Sequence, residues 1–349
     1  MLNKKVVVVS AIIVVAIFVI VVIFIGKNNN GKNSIFSLVS THKLPTGKNV
    51  QPVFSATPTV EQEVKIIWFS DFNSKRIVGL DRAGNQVWLQ HMDAPPIPPR
   101  GYSTHTEYVT VAPNGNLIVS DGEAMFVQEI DRKTHELVWQ YGVKDIQGYA
   151  KGYLHQPDKS YKINDHEVLI NDGNNRRVII VDQQTNDIVW QYGETLRMGK
   201  KPGMLMAATN TVPLDGGKQI LITDTLEKKV IIVDRATKNI VWEWVKPDAG
   251  WIQHVWPTSE GTFVMEDRNK KEVFEVNREG KILWTLSILE DGRQLNHPTD
   301  VVKLANGNVL IAESGRGRII EVNPLTAKVV KEYPGLGNVT TIAIDKNGL

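Results

Sequence analysis

A short unit, Asx-x-x-Thr/Gly followed by an aliphatic residue and Trp, recurs down the chain. It reads DRAGNQVW from Asp81, DRKTHELVW from Asp131, DQQTNDIVW from Asp182 and DRATKNIVW from Asp234. It continues as NREGKILW from Asn277 and, in degenerate form, as NPLTAKVV from Asn323. Self-similarity at this spacing demands an architecture assembled from repeats, each too small to bury its own apolar faces.

The rest of each unit says which architecture. A β-rich run ends in an acidic residue: KIIWFSD at Asp71, NLIVSD at Asp121, EVLIND at Asp172, QILITD at Asp224, TFVMED at Asp267 and NVLIAE at Glu313. A polar turn and a second aliphatic run follow, then the Asx turn and the Trp strand. Asn and Asp bond their own backbone two residues on, and Gly tolerates positive φ, so these are turns with a mechanism. A leading strand precedes each unit, as in THTEYVTVAPNG, IQHVWPTSEG and HPTDVVKLANG. Four short strands per unit make one blade of a β-propeller.

Six acidic strand ends give six blades. The first unit lacks a leading strand, and NVTTIAIDKNG near the C-terminus matches the missing one. The expected fold is therefore an all-β, six-bladed propeller over residues 61–349, closed by the C-terminal strand. A seventh blade drawn from residues 35–60 is the rival arrangement.

The N-terminus carries a second signal. Val6 to Gly26 is an uncharged apolar run, and about 20 such residues span a bilayer core. Lys4 and Lys5 precede it, which places the N-terminus (residues 1–5) in the cytoplasm and the remainder outside. The apolar stretch is long for a cleaved signal peptide and no A-x-A pattern follows. The expectation is a single-pass signal anchor over 6–26 in the cell membrane, then an extracytoplasmic linker over 27–60. Ile35, Phe36, Leu38 and Val39 are not linker residues and suggest that part of it packs. A formal net charge of +2 gives no electrostatic case for nucleic acid. The absence of cysteine excludes a disulfide framework, a thiol nucleophile and cysteine-ligated metal.

The Trp residues at one position per blade read as packing between neighbouring sheets. The acidic strand ends with their nearby cations, such as Asp172 with Arg176 and Arg177, read as turn caps and ion pairs. Histidines are different: His91, His105, His155, His254 and His297 fall in or beside the loops that enter blades. Leading strands line a propeller's axis, so these side chains are expected around the channel mouth, where imidazole suits acid–base or metal chemistry. The long entry loops over 91–104, 143–156 and 194–205 add Arg100, Tyr102, Tyr149, Lys151, Tyr153, Arg197, Lys200 and Lys201. His91, Arg100, Tyr102, His155 and Arg197 are the candidate ligand-binding set, for a protein, a glycan or a small anionic or aromatic ligand. No cofactor is called for; a metal on the channel histidines and the quinone cofactor PQQ are minor options.

DGNNRRVIIVDQQTNDIVWQYG resembles the quinoprotein-like (PQQ-repeat) propellers, and LNHPTDVVKLANGNVLIAESGRGRIIEV resembles the NHL type. The resemblance covers residues 61–349 and implies fold more than function, since such repeats serve scaffolds, sensors and enzymes. THTEYVTVAPNGNLIVSD is similar in style to the blades of arylsulfotransferase-like propellers. That resemblance implies a channel histidine as sulfate acceptor, with His105, His254 and His297 as nucleophile and partners and Arg100 or Arg197 holding the anion. The leading reading is non-enzymatic: a membrane-anchored extracytoplasmic binding or scaffold module with its partner at the channel face. The transferase is the alternative.

Overall fold

The computed structural model describes residues 19–27, 33–41, 63–92 and 108–348. In the N-terminal unit, Val19–Lys27 and Asn33–Thr41 pair antiparallel, with Val19 opposite Thr41 and Lys27 opposite Asn33. Strand thus stands where the apolar run predicted helix, and where the linker was expected to begin. Val and Ile, which make the run apolar, are equally strand formers. The remainder of the expected span, residues 6–18, lies outside the described residues. Among the described residues no helix is long and apolar enough to cross a membrane. Residues 35–41, offered to a seventh blade, belong to this two-stranded sheet.

The second unit is a ring of six four-stranded antiparallel sheets. Blade 2 shows the plan, inner to outer: Tyr108–Val111, Leu117–Asp121, Phe126–Ile130 and Leu137–Tyr141. Blades 3 to 6 repeat it, with inner strands Tyr161–Lys162, Ala208–Leu214, Ile252–Pro257 and Pro298–Lys303. Blade 1 draws Ile66–Asp71, Arg76–Asp81 and Gln86–His91 from the start of the domain. Its inner strand is Val339–Asp345, antiparallel to Ile66–Asp71 with Ile342 opposite Phe69. The expected closure by the C-terminal strand is therefore observed, and it leaves the first blade no unpaired inner edge.

Two apolar faces per sheet explain the ring. The middle strands read as continuous aliphatic runs because both sides are covered. One core, for instance, joins Ile118 and Val127 of blade 2 to Val168, Ile170 and Ile179 of blade 3. Another joins Leu221 and Ile232 of blade 4 to Phe263 and Phe274 of blade 5.

In blades 1 to 4 the recurring Trp fastens the blade to the next. Trp88 Nε1 donates to the Arg132 carbonyl (2.7 Å), Trp190 to that of Arg235 (2.8 Å) and Trp242 to that of Arg278 (2.7 Å). Trp139 reaches the Asn186 side chain of blade 3 at 2.9 Å. In blade 6 the position is Lys331, whose ammonium donates to the Arg82 carbonyl across the seam with blade 1. His135, in the Asx turn of blade 2, lies flat on Trp88, ring centroids 4.6 Å apart. The Asx turns follow their chemistry. Asp131 and Asp182 accept from the amides two and three residues on, and the residue four on takes positive φ, as at His135 and Asn186.

Candidate functional site

Strand direction sorts the loops. Inner strands start, and second strands end, on one face of the ring, the entry face; the hairpin turns joining them lie on the other. The acidic strand ends sit at the entry face, and all six are buried. Asp71, Asp172, Asp224, Asp267 and Glu313 each hold their own blade's incoming loop, while Asp121 accepts the Glu123 and Ala124 amides of the turn after it. Asp224 accepts the amides of Met206 (2.8 Å) and Ala207 (2.9 Å), and Asp267 those of Gly250 and Trp251. Asp172 accepts the His155 amide and Arg177 Nε, both at 2.8 Å. The capping and pairing roles expected of these carboxylates are what the structure contains.

Two entry loops are built on one plan, offset by 51 positions. Tyr141 and Tyr192 accept through their hydroxyls from Gly152 N (2.9 Å) and Gly203 N (3.0 Å). Leu154 and Leu205 are fully buried anchors. Gly142 and Gly193 take positive φ against the carbonyls of Met125 and Arg176, where a Cβ would collide. What the loops display is not repeated: Ile146 and Tyr149 are 51% and 59% exposed in the first, Leu196 and Met198 54% and 47% in the second. Cations there are largely neutralised: Arg197 pairs with Glu194, Lys200 with Glu227 and Lys151 with Asp187.

The axis itself is not an open channel. Lys159 of blade 3 reaches Asp300 of blade 6, directly across the ring, at 2.7 Å. Gln253 of blade 5 donates to the hydroxyl of Tyr108 in blade 2, again opposite, at 2.9 Å. Asp300 Oδ2 also accepts from Thr341 Oγ1 (3.0 Å) and Ile342 N (2.9 Å) of blade 1. His254 sits edge-on to Tyr108, with Nδ1 2.6 Å from the Thr299 carbonyl and 3.4 Å from Glu266 Oε1. A second layer comes from the residue preceding five of the six strand-end acids: Ser70, Ser120, Asn171, Thr223 and Glu266 are all buried, and in blade 6 the position is Ala312.

Burial acts on every charge in this plug. It pushes Asp158 up to about 8, so this carboxyl is largely protonated at neutral pH. It raises Glu266 as well. Burial works against the ammonium of Lys159, yet Asp300 holds it above its ordinary range. Burial would lift Asp300 too, but Lys159 and then His254 bring it below the usual carboxylate value.

The sequence candidates are therefore scattered. Of the two transferase candidates among the described residues, His254 lies in the axial cluster and His297 does not. His297 is exposed on its loop, Nδ1 against Asn296 Oδ1 at 2.9 Å. His105, Arg100 and Tyr102 lie outside the described residues. His91 is exposed at the end of its outer strand, and His155 is half-buried with Nε2 3.4 Å from Asn174 Nδ2. Arg197 is exposed and paired. Among the described residues the candidate histidines stand apart, and side chains from opposite blades meet across the axis as a buried polar plug. Tyr108, Asp158, Lys159, Glu266 and Asp300 escaped the sequence reading. The available signal was a polar residue inside an otherwise aliphatic run, such as Glu266 in TFVMED.

Solved structures share the fold at low identity. A protein of unknown function from Bacteroides caccae has a TM-score of 0.59 and 14% identity, covering 81% of this chain and 99% of its own. A chain of the nidogen/laminin complex gives 0.57 and 11%, covering 80% and 97%. A streptogramin B lyase gives 0.53 and 13%, covering 77% and 79%. Such identities speak to architecture alone. Curated protein sequences yield no significant match. The model of one family, described as outer membrane protein assembly factor BamB, matches residues 73–243 and again 174–345. Those two registers overlap across the blades, as a repeat requires, and the chain belongs to this family of PQQ-like propellers.

Proposed function

We propose that the protein is a membrane-anchored, extracytoplasmic binding module whose partner is another protein, held at the entry face. The observation that carries this is the pair of matched loops, 143–156 and 194–205. Their frames are locked by buried anchors, while Ile146, Tyr149, Leu196 and Met198 stand in solvent. A rigid frame lowers the ordering cost of association, and clustered apolar side chains on a polar surface mark interaction sites. The family's description as an assembly factor favours a protein partner. Pairing of Arg197, Lys200 and Lys151 within the chain weakens the case for a small anion.

The anchor rests on the apolar run over 6–26 and its preceding lysines. Lys65 N bonds the Asp345 carbonyl on the hairpin-turn face, so the chain enters the propeller on the side away from those loops. The test is a photo-crosslinking residue at Ile146 or Leu196 in the full chain in membranes, with Val138 on the rim as reference. One discrete adduct from the loop positions, lost in Ile146→Ser/Leu196→Ser at unchanged Tm, is the expected result. Equal adducts from Val138, or an adduct that survives the double substitution, would overturn the reading. Fractionation of the chain without residues 1–26 tests the anchor, with loss from the membrane expected.

A further inference from the structure

Within the axial plug, three potential ligand side chains converge, two of them without the satisfaction that buried polar groups normally reach. One donor atom each from His254, Glu266 and Asp300 lies within 4.8 Å of the others, and all three residues are buried. His254 Nε2 and Glu266 Oε2 have no hydrogen-bond partner in the protein. Leaving either buried and unpaired costs about 1–3 kcal/mol. Ser120 Oγ, Asn171 Oδ1 and Thr223 Oγ1 in the second layer are unpaired too, but among the described residues only His254, Glu266 and Asp300 bring three such ligand types together. The Thr299 carbonyl takes the Nδ1 proton of His254 at 2.6 Å, an outer contact that fixes the ring and leaves Nε2 as the nitrogen available to a ligand. Asp300 gives Oδ2 to Lys159, while its Oδ1 takes only the Val301 amide (2.9 Å).

We propose that His254, Glu266 and Asp300 form a binding site for one divalent transition-metal ion in the axis, where blades 5 and 6 meet. Metal–nitrogen and metal–oxygen bonds of about 2.0–2.2 Å bring ligand atoms closer together than this, so the donors close in slightly around the ion. One imidazole and two carboxylates, with no sulfur, suit zinc or manganese rather than copper(I), and the imidazole disfavours calcium and magnesium. Lys159 remains on Asp300 and moderates the negative charge of the set. A bound ion would give both orphaned atoms a partner and join blade 5 to blade 6, where Trp284 bonds within its own blade, to Glu275 Oε2, instead of to the next.

The experiment uses the full chain, purified without chelator or an immobilised-metal column. Elemental analysis should find about one equivalent of zinc or manganese. Chelation should lower Tm, and adding Zn2+ or Mn2+ should restore it. Glu266→Gln and His254→Gln, which remove direct ligands, should weaken binding by more than the roughly 10- to 100-fold that loss of an outer-shell partner costs, whereas His91→Gln/His297→Gln leaves it unchanged. Should the buried variants fail to fold, cobalt loaded into the wild-type chain reads the site directly, its visible spectrum reporting nitrogen and oxygen ligands. Sub-stoichiometric metal with no Tm response to either ion would overturn the proposal, leaving water as the occupant. Binding that survives Glu266→Gln, or disappears with the two exposed histidines, would overturn it equally.

Discussion

The girdle of Trp contacts and the axial plug are both polar devices that join blades, built on opposite principles. The girdle repeats: one indole, one carbonyl, the next blade, several times over. The plug never repeats: Lys159 meets Asp300, Gln253 meets Tyr108, and His254 stands beside Glu266. Repetition spreads stability evenly, so that each junction resembles its neighbour. The plug concentrates unlike charges at one place, where burial makes each of them costly unless paired. Architecture is carried by what the blades share and chemistry by where they differ.

The largest effects should come from both regions and yet differ in kind. Trp190→Ala removes a ring 7% exposed and its inter-blade bond, and should cost about 3–5 kcal/mol in denaturant unfolding. Lys159→Met strands Asp300 in the interior and should cost a similar 3–5 kcal/mol or so. The distinction is rescue: adding Asp300→Asn to Lys159→Met should recover part of the loss by removing the stranded charge. No second site should rescue Trp190→Ala, and failure of the Asp300→Asn rescue would place the plug among ordinary packing contacts.

Next in size are the loop anchors. Asp224→Ala leaves the Met206 and Ala207 amides without their acceptor and should cost about 2 kcal/mol, with faster proteolysis inside 194–207 as the local readout. Asp158 gives the pH test. Its folded pKa of about 8 lies above the unfolded value near 3.8. Its contribution to stability is therefore full below pH 4 and lost as pH rises through 8. Asp158→Asn should gain about 1–2 kcal/mol at pH 7.5, change little at pH 4 and flatten the profile between them. Equal effects at both pH values would refute the buried, protonated carboxyl. The smallest effect belongs to the rim: Val189, 50% exposed beside Trp190, should accept Thr with a change below about 0.5 kcal/mol.

The same contrast explains what was legible before any coordinates. The blade count, the closing strand, the packing role of Trp88 or Trp190 and the capping role of Asp172 or Asp224 follow from residues at fixed offsets in each unit. The plug has no such grammar. Lys159 and Asp300 are 141 residues apart, and Gln253 and Tyr108 are 145 apart. They meet only because a ring of six places blade 3 against blade 6 and blade 2 against blade 5. Histidine was read as the marker of chemistry, yet His91 and His297 stay at the surface, while the informative side chains were acids and a lysine inside aliphatic strands. The apolar run at the N-terminus is ambiguous for another reason: Val and Ile satisfy a bilayer and a strand alike.

The seal between Val339–Asp345 and Ile66–Asp71 has a consequence in time. Partners such as Phe69 and Ile342 are separated by about 270 residues, and bringing such ends together costs roughly 5 kcal/mol of loop-closure entropy. During synthesis the middle blades can form while the first waits, its inner edge bare, for a strand made last. Until that strand arrives the half-built ring is open to proteases and to pairing with strangers. Afterwards the circle has no loose end from which to unravel.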